Sequence, residues 1–160
     1  MSWGAARHGH LNVLQWLKAN SSEEAGWNFR FDDFTCAHAA AIGSLETVQW
    51  LRSQDCPWDE HSCEAAAFGG HLEVLKWLRS EDCPWDAGVC AAAAETGHFE
   101  VLKWLRSQDP PCPWDEDTWA WASAWRESAQ DDEIMNWLRD SGCPRANMIM
   151  IPMAVFGVPF

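Results

Sequence analysis

Tyrosine is absent from the 160 residues, and basic side chains are scarce: 11 Lys and Arg stand against 24 Asp and Glu, a net charge of −13. Phosphate backbones are held by clustered Lys and Arg, so the deficit excludes nucleic acid as an expected partner, and an acidic membrane surface with it. A protein partner with a basic patch fits that charge better. Also missing is any apolar run of the roughly 18 residues that a membrane helix needs. The nearest approach, the tail from Met148 to Phe160, is interrupted by Pro152 and Pro159. Residues 1–10 hold Arg7, two His and no apolar stretch, so they do not read as a secretory signal. Seven cysteines, an odd number, then imply free thiols in a reducing, intracellular setting: the cytoplasm, with the nucleus left open. There is no Gly-rich phosphate loop, no His-Glu-x-x-His and no closely spaced cysteine pair of the kind zinc sites use. The expectation is a chain with no catalytic residues, no cofactor, no metal and no small-molecule substrate.

What the chain has in excess is tryptophan, 13 copies, and repetition. The stretch Gly70-His71-Leu72-Glu73-Val74-Leu75-Lys76-Trp77-Leu78-Arg79-Ser80 returns as Gly97-His98-Phe99-Glu100-Val101-Leu102-Lys103-Trp104-Leu105-Arg106-Ser107. Weaker copies begin at Gly9, at Gly43 and near Gln130. The matching Trp16, Trp50, Trp77, Trp104 and Trp137 are 34, 27, 27 and 33 residues apart. A second motif recurs in phase: Cys56-Pro57-Trp58-Asp59, Cys83-Pro84-Trp85-Asp86 and Cys112-Pro113-Trp114-Asp115. Each is followed by a small-residue stretch such as Cys63 to Ala67 or Cys90 to Ala94. One unit therefore reads as an Ala-rich helix A, a glycine turn, an amphipathic helix B and a Cys-Pro-Trp-Asp corner.

Local physics agrees. Val74, Leu75, Trp77 and Leu78 share one face at helical spacing. Glu73 with Lys76, and Glu100 with Lys103, suit a solvated face. Arg52, Arg79 and Arg106 lie near helix C-termini, where positive charge is favoured. Asp32, Asp59, Asp86 and Asp115 are placed to cap helix A, and Gly43, Gly69 and Gly97 to end it. Small side chains along helix A let neighbouring helices approach closely.

This pattern resembles ankyrin repeats, most of all in Ala66-Ala67-Phe68-Gly69-Gly70-His71-Leu72-Glu73-Val74-Leu75-Lys76-Trp77-Leu78. The resemblance implies an all-α fold, an α-solenoid of stacked helix–turn–helix units, over residues 3–145, with 146–160 an off-pattern apolar tail. Two departures stand out. The Thr-Pro-Leu-His opening of an ankyrin helix A is replaced by His61-Ser62-Cys63-Glu64. The central period is 27 rather than 33, with the shortfall between Asp86 and Cys90, so hairpin fingers should be mostly absent. Only Trp27 to Phe31 alternates as a strand would. The units resemble shortened ankyrin-type arrays of protists and large DNA viruses. The chain opens midway through a helix A, which reads as a piece of a longer array.

The five repeated helix B tryptophans are expected in the core between units, and Trp58, Trp85 and Trp114 in the gaps between them. Cysteines recurring at repeat phase read as buried, inert thiols; Cys63 and Cys90, on neighbouring helices, lie beyond easy disulfide reach. His10, His71 and His98 are expected to hydrogen-bond locally at the start of helix B. Positions that vary between units fall in columns: Phe34, His61, Gly88 and Asp117; Ala37, Glu64, Ala91 and Ala120; Ala41, Phe68 and Glu95. By the resemblance these line a concave groove that binds a protein partner. The expected binding residues are Asp33, Glu60, His61, Glu64, Phe68, Glu95, Glu116, Asp117, Trp121 and Trp125. The alternatives are a targeting arm of a larger enzyme or ubiquitin-ligase adaptor, and a Cys-rich metal- or redox-responsive solenoid.

Overall fold

The computed structural model describes residues 2–21, 30–124 and 129–145. Among them are ten helices and no strand: α1 (Ser2–Arg7), α2 (Leu11–Ala19), α3 (Asp33–Ala41), α4 (Leu45–Ser53), α5 (Glu60–Phe68), α6 (Leu72–Ser80), α7 (Ala87–Glu95), α8 (Phe99–Arg106), α9 (Glu116–Ala124) and α10 (Ala129–Asp140). None of these helices is long and apolar enough to cross a membrane. The tail 146–160 and most of the strand-like segment Trp27 to Phe31 lie outside the described residues.

Two kinds of helix alternate. The odd-numbered ones pack side by side in a row, α1 on α3, α3 on α5, α5 on α7 and α7 on α9, and each also packs on the helix that follows it. Composition explains the closeness of that row: Cys36, Ala39 and Ala40 of α3, Cys63, Ala66 and Ala67 of α5, and Cys90, Ala93 and Ala94 of α7 are fully buried. The even-numbered helices turn one apolar face inward, with Val48 and Leu51, Leu75 and Leu78, Leu102 and Leu105 in the same core. Full burial stabilises each such leucine by roughly 1.5–3 kcal/mol. The opposite face is solvated, and there Lys76 pairs with Glu73 at 2.8 Å and Lys103 with Glu100 at 3.4 Å.

Asp32, Asp59, Asp86 and Asp115 cap the odd helices as expected. Their carboxylates accept from the amides of Thr35, His61, Gly88 and Asp117 respectively. The ends of α1, α3, α4, α5, α6, α7 and α10 close with paired backbone bonds. At the end of α5 the His71 amide donates to Ala66 O (2.9 Å) and Gly70 to Ala67 O (3.1 Å); at the end of α6, Cys83 donates to Leu78 O and Asp82 to Arg79 O. The first closure needs a left-handed residue, which is Gly70 (φ +72°) and not the Gly69 expected from sequence; Asp82 (φ 59°) serves in the second.

Two expectations are corrected and a third is extended. Trp16 is not a core residue: it is 61% exposed, whereas Trp50, Trp77, Trp104 and Trp137 are partly buried. The reason is the corner before each indole. Phe31 meets Trp50, Trp58 meets Trp77, Trp85 meets Trp104 and Trp114 meets Trp137, edge to face with centroids 5.6–6.3 Å apart. Arginine does more than complement a helix terminus: Arg52, Arg79 and Arg106 lie over Trp58, Trp85 and Trp114 at 4.2, 4.0 and 3.9 Å from the centroids. Lastly, His10, His71 and His98 make no side-chain cap bond at their own helices. The His71 ring instead reaches the preceding unit, with Nε2 3.0 Å from Ala41 O, and the His98 ring lies over Gly70.

Candidate binding groove

The odd-helix row leaves one face open. Across α3, α5 and α7 that face forms a groove lined by Phe34, Ala37, Ala41, His61, Glu64, Ala65, Phe68, Ala92 and Glu95. The alanines make its floor. Phe34, in the first turn of α3, and Phe68, at the end of α5, are 60% and 49% exposed on that surface. Exposed phenyl rings of this size gain from being covered, at about 25 cal/mol per Å² removed from water.

Charge is set by local capping. Asp59 caps α5, and its other oxygen lies 3.1 Å from His61 Nδ1. That hydrogen bond, and then the carboxylate's charge, hold the His61 imidazole above its ordinary pKa. Glu64, one turn further on, lies against the start of α7, where a Cβ on Gly88 would collide with its Oε1. Glycine in that variable column is thus what admits the carboxylate. Burial raises the Glu64 pKa, and the neighbouring His61 opposes the rise. Among the described residues, neither Glu64 nor Glu95 forms an ion pair with Lys or Arg.

Of the residues expected to bind, the groove brings together His61, Glu64, Phe68 and Glu95. Asp33 and Glu60, in the first turns of α3 and α5, and Glu116 and Asp117, at the start of α9, do not line it. Trp121 is 44% exposed on α9, beyond its edge. Trp125 lies outside the described residues. Phe34, Ala37 and Ala41 stand in the variable columns but carry no charge, and were not among the expected binding residues. Ala65 and Ala92 belong to a fourth column, headed by His38, that only the stacking of helices makes visible.

All seven cysteines are free and buried, as the repeat phase suggested. Among the described residues no group of three or more His, Cys, Asp or Glu is placed to hold a metal ion. No protein-family model matches the chain, and no curated protein matches it either.

Proposed function

We propose that this chain is an ankyrin-like interaction scaffold that binds a protein partner in the groove across α3, α5 and α7. One observation supports the reading above the others. The positions that change from unit to unit, Phe34, His61, Glu64, Phe68 and Glu95, meet on one open surface, while those that repeat are spent on packing. In a stacked array, a surface that varies against a constant frame is the natural place for recognition. The groove pairs exposed aromatic rings with two carboxylates that, among the described residues, form no ion pair with Lys or Arg. A protein segment with Lys or Arg beside apolar side chains is its complement. Intrinsic catalysis has no support in the repetition, since residues copied once per unit answer to packing. The setting in which seven reduced thiols persist is intracellular.

The test is affinity capture of partners from the source cell. Three baits are compared: the native chain, a groove variant (Glu64→Lys, Glu95→Lys, Phe68→Ser) and a control (Glu116→Lys, Asp117→Lys) reversed on α9 outside the groove. The native chain and the control should retain the same partner. The groove variant should lose it at least tenfold while its far-ultraviolet circular dichroism is unchanged. Equal retention by all three baits overturns the proposal.

A further inference from the structure

Successive units meet through the same positions each time. The histidine before an even helix reaches back one unit: His71 Nε2 lies 3.0 Å from Ala41 O, and the His98 ring lies over Gly70. Val74 and Val101, in the first turns of α6 and α8, are buried. Trp77 and Trp104 each take a corner indole edge to face. In the first unit the equivalent residues are His10, Val13 and Trp16. All three are exposed, Val13 by 40%. Leu14 and Leu17 on the same helix are buried, so α2 is packed and only this flank of it is bare.

The complementary half of the contact stands at the other end of the row. After α10 the chain makes one more corner, Cys143-Pro144-Arg145, built as the earlier ones are. The Cys143 amide donates to Leu138 O (2.9 Å) as that of Cys83 does to Leu78 O (3.0 Å). Gly142 is left-handed (φ +75°) where Asp82 is (φ +59°). The Cys143 thiol donates to Asp115 O (3.9 Å) as that of Cys83 does to Asp59 O (3.4 Å). Arg145 takes the place of the corner indole. It is exposed, whereas Trp58, Trp85 and Trp114 are half-buried, and among the described residues no helix follows it. Ala124, also exposed, closes α9 as Ala41 closes α3. The two ends of the row are opposite in charge as well. Residues 1–21 hold Arg7 and Lys18 and no Asp or Glu, whereas residues 115–145 hold eight Asp or Glu against three Arg.

We propose that these two faces are mates, and that a second copy of this chain stacks head to tail on the first, with Arg145 of one copy against Trp16 of the other. The guanidinium then stands to Trp16 as Trp58 stands to Trp77, a cation on an indole in place of a second ring. Val13 is covered as Val74 is, and His10 meets the end of α9 as His71 meets Ala41. Each copy carries one face of each kind. The contact is therefore heterologous, and copies add along the row instead of closing as a two-fold pair. Opposite charge on the two ends favours the encounter and is screened by salt. The groove takes no part, so each copy in the line keeps its own.

The test is sedimentation velocity over a range of protein concentration, with circular dichroism of every variant. The native chain should form larger, elongated species as concentration rises, and fewer of them in high salt. Trp16→Glu removes one face and Arg145→Glu the other. Each variant alone should stay monomeric with its helical signal intact. Mixed, the two should form a one-to-one pair and grow no further, since each brings the face that the other lacks. Val13→Asn replaces Trp16→Glu should the latter lose its helical signal. The groove variant (Glu64→Lys, Glu95→Lys, Phe68→Ser) should associate as the native chain does. The proposal is overturned by a native chain that stays monomeric, by association of either single-face variant to the native extent, or by a mixture that fails to pair. Loss of association in a folded groove variant also overturns it, by assigning the contact to the groove.

Discussion

Trp77 and Trp16 occupy the same place in their helices, one turn from the C-terminus on the same edge, yet one is half-buried and the other is 61% exposed. Their own helices make little of the difference; Leu14 of α2 is as fully buried as Leu75 of α6, and Leu17, like Leu78, faces inward and is buried. What differs is the corner that comes before. Trp58 leans edge-on against Trp77 and is itself covered by Arg52, whereas no described corner precedes Trp16. An indole in this array is thus sheltered by the unit before it, and the central units differ from the first through their neighbours more than through their own sequence.

That comparison can be broken most directly at the indoles. Trp77→Ala should lower unfolding free energy by about 3 kcal/mol, and Trp16→Ala by less than about 1 kcal/mol, both measured by chemical denaturation. Equal costs would mean that the preceding corner is irrelevant. The glycines sharpen the same contrast with a smaller effect. Gly70 and Gly142 share a left-handed backbone (φ +72° and +75°), but a Cβ on Gly70 would stand 2.6 Å from the His98 ring, while one on Gly142 meets nothing within 4 Å. Gly142→Ala should cost about 1 kcal/mol, the backbone penalty alone. Gly70→Ala should cost roughly twice that, because the imidazole from the next unit must move. The smallest effect lies at the exposed start of α5. His61 should titrate above an ordinary histidine by nuclear magnetic resonance and return toward it in Asp59→Asn. Since its folded pKa is raised, the pair's contribution to stability is present at acid pH and is lost as pH rises through that raised value. Exposure keeps the contribution small.

Features confined to one helix were legible in the sequence. Asp59 followed by a helix-forming run announced a cap, Val74, Leu75 and Leu78 announced an inward face, and the Ala66-Ala67 pair announced close helix packing. Most of the places where reading failed involve contact between elements. His71 was expected to serve its own helix and instead bonds Ala41 O, 30 residues earlier. The arginine column and the corner tryptophan column were both visible, but sequence periodicity does not say which columns touch, so the Arg79–Trp85 stack went unread. The groove was half legible, because unit-to-unit variation marked Phe34, Glu64 and Phe68. Choosing charged positions over apolar ones then favoured Glu116 and Asp117, which lie outside it.

The third corner carries a consequence for how such an array can change. Arg79 reaches the carbonyl of Cys83 four residues on, and Arg106 reaches that of Cys112 six residues on, yet the two guanidinium–indole stacks are nearly the same, 4.0 and 3.9 Å. The two additional residues are absorbed in the 107–111 stretch without shifting the rings on either side. Spacing along the chain is therefore decoupled from alignment in space at this point. Residues 107–111 form a splice point, where extra sequence can be carried outward while the helices before and after it keep their mutual register.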